Sequence, residues 1–385
     1  MTLDLARVSV QIEEMGEQLL ADGDLRRRQF VRARSYFRQM APEWRRLADL
    51  ARRRNAASAA PTEALDAHHP KGEVPAAYEV MASDGSTVEP DRHGPALCAL
   101  VNVGRVRIRY GPDPVAFLES EPKLYFRESD LYVEQRGRRV LLRERWLDAW
   151  RSIAEMAALA EMAGASEGPG LAKVALADGL LLLWREDWAE GDADVLTGRF
   201  TDALDTIARL KLPLAAYVSR PTSHWVVDLL REAAECRVGP VNCRSGCGAE
   251  SCSLARLGDA DLFDFLAPGE RSALFEMTGP YAERFGVNHR AHFFYLQVGR
   301  ELARVEVPAW VAQDADALKL LHAVICDQAD RGIGYPVALA RAHEQAVLSG
   351  YDRRIFQQLV VSALTRRGFD TLPSEKQSSK NLHAV

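Results

Sequence analysis

No stretch of the 385-residue chain approaches the roughly 20 uninterrupted apolar residues that a membrane helix needs, so no membrane span is expected. The first residues, MTLDLARVSVQIEEMGEQ, carry charges where a secretion signal needs an apolar core, and a cytoplasmic protein is expected. Cysteine is scarce. Six in a chain this long build no disulfide scaffold, and their clustering points instead to metal or redox chemistry. A basic excess is also missing: 49 Lys and Arg against 54 Asp and Glu leave a net charge of -5. That excludes a uniformly cationic coat but not a local basic groove. No G-x-x-x-x-G-K-[ST] loop occurs, so this chain is not expected to hydrolyse nucleotide by itself. What remains is ordinary globular composition, 47% hydrophobic and 27% charged, which excludes disorder throughout and a fibrous chain.

Leu5, Val8, Ile12, Met15 and Leu19 recur at the three-and-four spacing of one helical face, which Asp22-Gly23 is expected to interrupt. A second helix follows, dense in arginine from Arg26 to Arg54, with a broken apolar stripe of Phe30, Phe37, Trp44 and Leu47. Residues 1–54 thus read as a coiled-coil-like helical arm whose basic face is either solvated or a contact for nucleic acid or an acidic partner. Residues 55–76, rich in Ala and Pro, read as a linker, and 369–385 as a flexible polar tail.

The main domain, 77–368, opens with strands at 78–83 and 96–110 and a further antiparallel stretch at 123–143 turning at Gly137. A helix with Leu147, Trp150, Ala154 and Ala157 on its buried face comes next. It is followed by a doubly buried strand at 171–179, a helix near 194–209, a strand at 212–219 and a helix from near Thr222. A possible three-strand meander followed by alternating helix and strand is the order of an α/β, ribonuclease H-like mixed sheet with flanking helices. A cysteine-rich loop (236–252), two strands (292–299 and 301–311) and three C-terminal helical segments complete the chain.

Two aspartates sit in matching settings, Asp84 in MASDGS and Asp178 in ALADG, each closing a small apolar strand and followed by glycine. An isolated Asp-Gly is commonly a turn. In a sheet of this order, however, the first and fourth strands are parallel neighbours, so both carboxylates would meet at the edge where open α/β sheets bind ligands. Held that close they repel, and a divalent cation is the simplest remedy. The intervening helix offers Glu155 and Glu161, which lie about 240 degrees apart around it and cannot both face one site. Arg151 precedes Glu155 by one turn, so a surface ion pair is an alternative there, and spacing leaves both glutamates open. His343 lies on a helix opened by Tyr335-Pro336, where a lone histidine is usually structural.

Six segments resemble the NurA nuclease family: MASDGS (81–86), ALADGLLLLW (175–184), AYVSRPTSHWVVDLLR (216–231), GERSALFEM (269–277), HFFYLQVGRELARVEVPAWVA (292–312) and GIGYPVALARAHEQAVL (332–348). They stand in family order, and the helical arm is similar to that of bacterial members. The resemblance implies a metal-dependent DNA nuclease, a 5′–3′ exonuclease and single-strand endonuclease. It also implies action with a HerA-type hexameric translocase in DNA end resection and double-strand break repair, usually as a homodimer with Mn2+, with Mg2+ as the alternative. Carried over residue by residue, it assigns catalysis and metal binding to Asp84, Glu155, Asp178 and His343. Arg220 and Arg271, in the third and fourth segments, become candidates for DNA contact. Where many archaeal members have lysine after the fifth strand, this chain reads Ser219-Arg220, and arginine would engage phosphate as a planar fork instead of a point charge.

On this reading Asp84 bridges two cations roughly 4 Å apart while Glu155, Asp178 and His343 complete their shells, with the imidazole favouring manganese over magnesium. Cys236, Cys243, Cys247 and Cys252 have the compactness of a structural Zn2+ site without tight C-x2-C pairs, so zinc and free thiols both stay open. Cys98 and Cys326, in apolar runs, are expected in the core. An inactive adaptor of the translocase is disfavoured because all four ligand types are present. A ribonuclease on the same fold stays open, since two-metal hydrolysis does not require a deoxyribose.

Overall fold

The structure, a computed structural model, describes residues 4–54, 56–135, 138–141, 144–166, 170–181, 183, 190–234, 254 and 257–369. The chain begins with α1 (Leu5–Met40), α2 (Trp44–Arg53), β1 (Ser58–Pro61) and β2 (His68–His69). The strands β3 (Tyr78–Val88), β4 (Ala99–Tyr110) and β5 (Val115–Tyr125) follow, then a hairpin of β6 (Tyr132–Gln135) and β7 (Arg138–Leu141). Next come α3 (Glu144–Ala165), β8 (Ala172–Asp178), α4 (Glu190–Arg209), β9 (Leu214–Val218) and α5 (Trp225–Ala234). After these lie β10 (Arg271–Ser272), β11 (Phe275–Thr278), β12 (Ala291–Val298) and β13 (Glu301–Pro308). The last long helices are α6 (Ala315–Arg331), α7 (Val337–Ala346) and α8 (Gly350–Thr365). Among the described residues no helix is long and apolar enough to cross a membrane.

Compact units divide the chain otherwise than the expected boundaries at 55 and 77: Met1–Lys71 joins Val218–Glu306, and Gly72–Tyr217 joins Val307–Val385. The second of these holds the ribonuclease H-like sheet, in the order β9-β8-β3-β4-β5. β3, β4 and β5 form the antiparallel meander, while β3, β8 and β9 run parallel. Two strands are longer than their sequence suggests. β3 does not end in an Asp-Gly turn but continues to Val88, because β4 pairs with it along its full length, Asp84 opposite Gly104 and Gly85 opposite Val103. β5 starts at Val115, well before the expected 123, and its side chains up to Leu124 are exposed, so no alternation of burial marks it. α3 and α7 both pack on β3 and β4.

In the first unit, α1 runs unbroken through Asp22-Gly23. A glycine inside a helix costs only about 1 kcal/mol, and neither residue takes up left-handed backbone. Leu5, Ile12, Met15 and Leu19 are exposed, whereas Gln29, Ala33, Phe37 and Met40 are buried, as are Leu47, Ala48 and Ala51 of α2. The second half of the expected arm is therefore part of this unit's core. Segment 55–76 is likewise no plain linker. Ser58–Pro61 is a buried strand pairing antiparallel with β11, from Ser58 opposite Thr278 to Pro61 opposite Phe275. Its small side chains suit a strand on which α2 packs, and smallness is what makes it look like a linker. An aromatic cluster of Phe263, Phe275, Phe293 and Tyr295 fills the interior.

Several arginines of the arm are held by carboxylates of their own unit: Arg26 by Asp261 (2.9 Å), Arg34 by Asp264 (3.3 Å), Arg52 by Glu276 (2.8 Å) and Arg54 by Glu232 (3.2 Å). Burial pushes the Glu276 carboxyl up, but its bonds to Arg52 and Arg290 outweigh this and hold it below its ordinary value. A carboxylate so held stabilises the fold above its unfolded pKa, and that contribution is lost as the pH falls through the folded one. Arg52→Met should therefore cost about 1 kcal/mol at neutral pH, the exposed guanidinium being partly screened. Thermal melts should show the gap to wild type closing below about pH 4.

Candidate active site

The parallel ladder between β3 and β8 ends at the pair Ser83–Ala177, so the next residues along the two strands are Asp84 and Asp178. Alternation along β3 sends Ser83 and Gly85 to one face of the sheet and Asp84 to the other. On the first face Ser83 Oγ donates to the Glu155 carbonyl at 2.9 Å and ties α3 to the strand. Gly85 is needed there. A Cβ would stand 2.5 Å from Glu155 Oε1 and 2.7 Å from Arg151 Cγ, so only glycine lets these side chains lie against β3.

On the second face α7 approaches equally closely. A Cβ on Gly104 would lie 2.1 Å from the Ala342 carbonyl oxygen and 2.8 Å from the Ala346 nitrogen. Ser86 Oγ and Asn102 Nδ2 donate to the Ala346 carbonyl at 2.5 and 2.9 Å, fastening the helix C-terminus to the sheet. One turn earlier His343 reaches Asp84, with Nδ1 2.8 Å from Oδ2. The other Asp84 oxygen accepts from the Gly85 amide at 2.8 Å. His343 keeps 63% of its side-chain surface exposed, while Asp84 is buried.

The third carboxylate partner was not foreseen from sequence. Tyr335 Oη donates to Asp178 Oδ1 at 2.9 Å, and its ring meets Tyr217 edge-on. Burial, reinforced by Asp178, raises the Tyr335 phenol far above its usual range, so it stays a donor. The only signal in the sequence is its place just before the helix that carries His343.

Glu155 is 5% exposed and bound to Arg151 Nη1 at 2.7 Å through Oε1. Burial pushes its pKa up to about 8, with Asp84 and Asp178 adding repulsion and Arg151 opposing. Burial also raises Asp178, again with Asp84 contributing, against the Tyr335 and Gly179 bonds. Three carboxylates thus feel one another's charge. Glu161, the alternative, keeps 65% of its side chain exposed and pairs with Arg105 at 3.2 Å.

The donor set suits a divalent cation: mutually repelling oxygens, one of them deeply buried, and an imidazole beside the central aspartate. As they stand, each is engaged by an internal partner, and among the described residues no three His, Cys, Asp or Glu side chains converge as a metal-binding group. Asp84, Glu155, Asp178 and His343 are nonetheless brought to one end of the β3–β8 ladder.

The two arginines expected at DNA belong to the other compact unit. Arg220, in left-handed backbone at φ 45°, is exposed and pairs with Glu301 at 3.3 Å. Arg271 is turned inward: its side chain is 12% exposed, lies over Phe294 and pairs with Glu63 at 3.5 Å, leaving little surface for DNA. Cys236, Cys243, Cys247 and Cys252, and the expected tail beyond Phe369, lie outside the described residues. Cys326 is buried as expected, whereas Cys98 is only half-buried.

A family model described as the NurA domain matches residues 78–348. A solved structure of NurA with manganese overlays at a TM-score of 0.36 with 12% identity, covering 78% of this chain and 91% of its own. One of NurA bound to dAMP and manganese gives 0.35 and 12%, covering 78% and 90%. An Argonaute structure from Aquifex aeolicus gives 0.29 and 10%, covering 71% of this chain and 28% of its own. Overlays this loose carry no argument. No curated protein sequence matches. The family model spans well over half of the chain and takes in all four clustered residues, so the chain belongs to the NurA family of nucleases.

Proposed function

We propose that the protein is a metal-dependent deoxyribonuclease in which Asp84, Glu155, Asp178 and His343 would hold the cations, with Asp84 as the central carboxylate. The observation that carries this reading is the meeting of Asp84 with the His343 imidazole at the end of a ladder where Asp178 is the neighbouring residue and Glu155 is buried close by. When bound, two divalent cations supply an activated water and stabilise charge on the phosphoryl oxygens. The protein's own part is geometric. Ser83 fixes α3, Ser86 and Asn102 fix α7, and Tyr335 keeps Asp178 turned inward. The exposed edge of His343 leaves the site open to a substrate phosphate. The imidazole favours manganese over magnesium.

Family membership further supports a 5′–3′ exonuclease and single-strand endonuclease acting as a homodimer with a HerA-type translocase, in DNA end resection. A chain of net charge -5 lacking a phosphate-binding loop has no motor of its own, so strand feeding falls to that partner. Labelled single-stranded DNA, duplex DNA and RNA, incubated with Mn2+, Mg2+ or chelator, test this reading. The expected pattern is metal-dependent cleavage of single-stranded DNA, with long duplex degraded only when translocase and ATP are added. Glu155→Gln should lose activity and Glu161→Gln retain it; the reverse would overturn the ligand assignment. Cleavage of RNA alone would move the protein to the ribonuclease class.

A further inference from the structure

Arg151 has no role in the reading above, yet it makes the closest ion pair to the carboxylate cluster. Among the described residues it is the only lysine or arginine bound to Asp84, Glu155 or Asp178. Its Nη1 sits 2.7 Å from Glu155 Oε1, and its side chain is 29% exposed against 7% for Glu155. This is not a surface pair of the kind that contributes little. Glu155 is buried, so breaking the pair from one side would leave its carboxyl group with no cation beside it, which is costly. The absence of a side chain at Gly85 is part of the arrangement, since any Cβ there would collide with both Glu155 Oε1 and Arg151 Cγ.

We propose that Arg151 is the built-in counter-cation of this site: it holds Glu155 in place in the metal-free protein and competes with the metal ion for the same carboxylate oxygen. The inference rests on the metal-dependent reading of the site and adds to it. A guanidinium and a divalent cation on one oxygen repel strongly at such distances, so the carboxylate must be shared out between them. Arg151 is thus a positioning residue. It keeps α3 seated on β3 before metal arrives and lowers the affinity with which metal is then held.

The test uses the full-length, metal-free protein without substrate, and reads Mn2+ binding by titration calorimetry together with melting temperature. Arg151→Gln removes the charge. It should melt several degrees lower without metal, bind Mn2+ roughly tenfold more tightly and gain more from Mn2+ than wild type does. Arg151→Lys keeps the charge and should resemble wild type in both readouts, which a role in shape alone would not predict. Unchanged or weaker Mn2+ binding by Arg151→Gln overturns the inference, as does Arg151→Lys binding Mn2+ like a charge-free variant; the lysine variant decides the matter if the glutamine one does not fold. Wild type and Asp84→Ala are titrated alongside. If wild type shows no Asp84-dependent Mn2+ binding, the metal reading itself fails, whereas normal wild-type binding with no effect at Arg151 removes the counter-cation alone.

Discussion

Asp84→Ala is expected to abolish cleavage while leaving the protein folded and no less stable. The carboxylate is the one that meets His343, and its charge contributes to the upward shift of both Glu155 and Asp178. Removing it takes away repulsion in the metal-free protein and costs two hydrogen bonds, one to a largely exposed imidazole and one from the adjacent Gly85 amide. On the metal-dependent reading, activity should fall by roughly a thousandfold or more, because transition-state charge stabilisation worth several kcal/mol would be lost with a carboxylate proposed to hold the cations. Melting curves and cleavage rates measured on the same preparation check both halves. A well-folded Asp84→Ala protein with normal turnover would remove Asp84 from the chemistry.

Gly104→Val is expected to damage both stability and cleavage, although residue 104 carries no chemistry. The nearest atoms to an added Cβ are the backbone oxygen of Ala342 and the backbone nitrogen of Ala346, and a helix backbone cannot yield as a flexible side chain can. α7 must move off the sheet. Overpacking of this kind typically costs about 1–3 kcal/mol, and the shift carries His343 away from Asp84, which pairs across from Gly104. Gly104→Ala should show the same effects to a smaller degree. Gly16→Ala, at a position in α1 with nothing within 4 Å of an added Cβ, serves as the control and should be neutral or slightly stabilising. A stable, fully active Gly104→Val would show that the seating of α7 does not set the position of His343.

The local pattern was enough for the order of strands and helices in the second unit, because each element there carries its own signal. β8 has a compact apolar run at 174–177, and α3 has an apolar stripe at helical spacing, although of Leu147, Trp150, Ala154 and Ala157 only Leu147 is fully buried, the others being half-buried. From that order the parallel adjacency of β3 and β8 follows, and with it the meeting of Asp84 and Asp178. Signals fail where burial and side-chain size are decoupled. Ser58–Pro61 is a fully buried strand made of small residues, and β5 is a regular strand with almost nothing buried, so neither has an apolar pattern to read. Asp22-Gly23 and Asp84-Gly85 show the complementary error, since a dipeptide that favours turns continues a helix in one case and a strand in the other.

Local pattern alone thus placed Asp84 and Asp178 on neighbouring parallel strands, while His343 and Glu155 were singled out only by resemblance to the family. The choice between Glu155 and Glu161 belonged to the tertiary structure. Both lie on α3, and only packing of that helix on β3 buries one beside Asp84 and leaves the other facing solvent with Arg105. The same holds for Tyr335, whose bond to Asp178 joins residues 157 positions apart, and for Gly85 and Gly104, whose missing side chains matter only once α3 and α7 are in place. Local propensity acts over a few residues, whereas a site assembled from β3, α3, β8 and α7 is defined by distances that close only when the sheet and both its helices have packed.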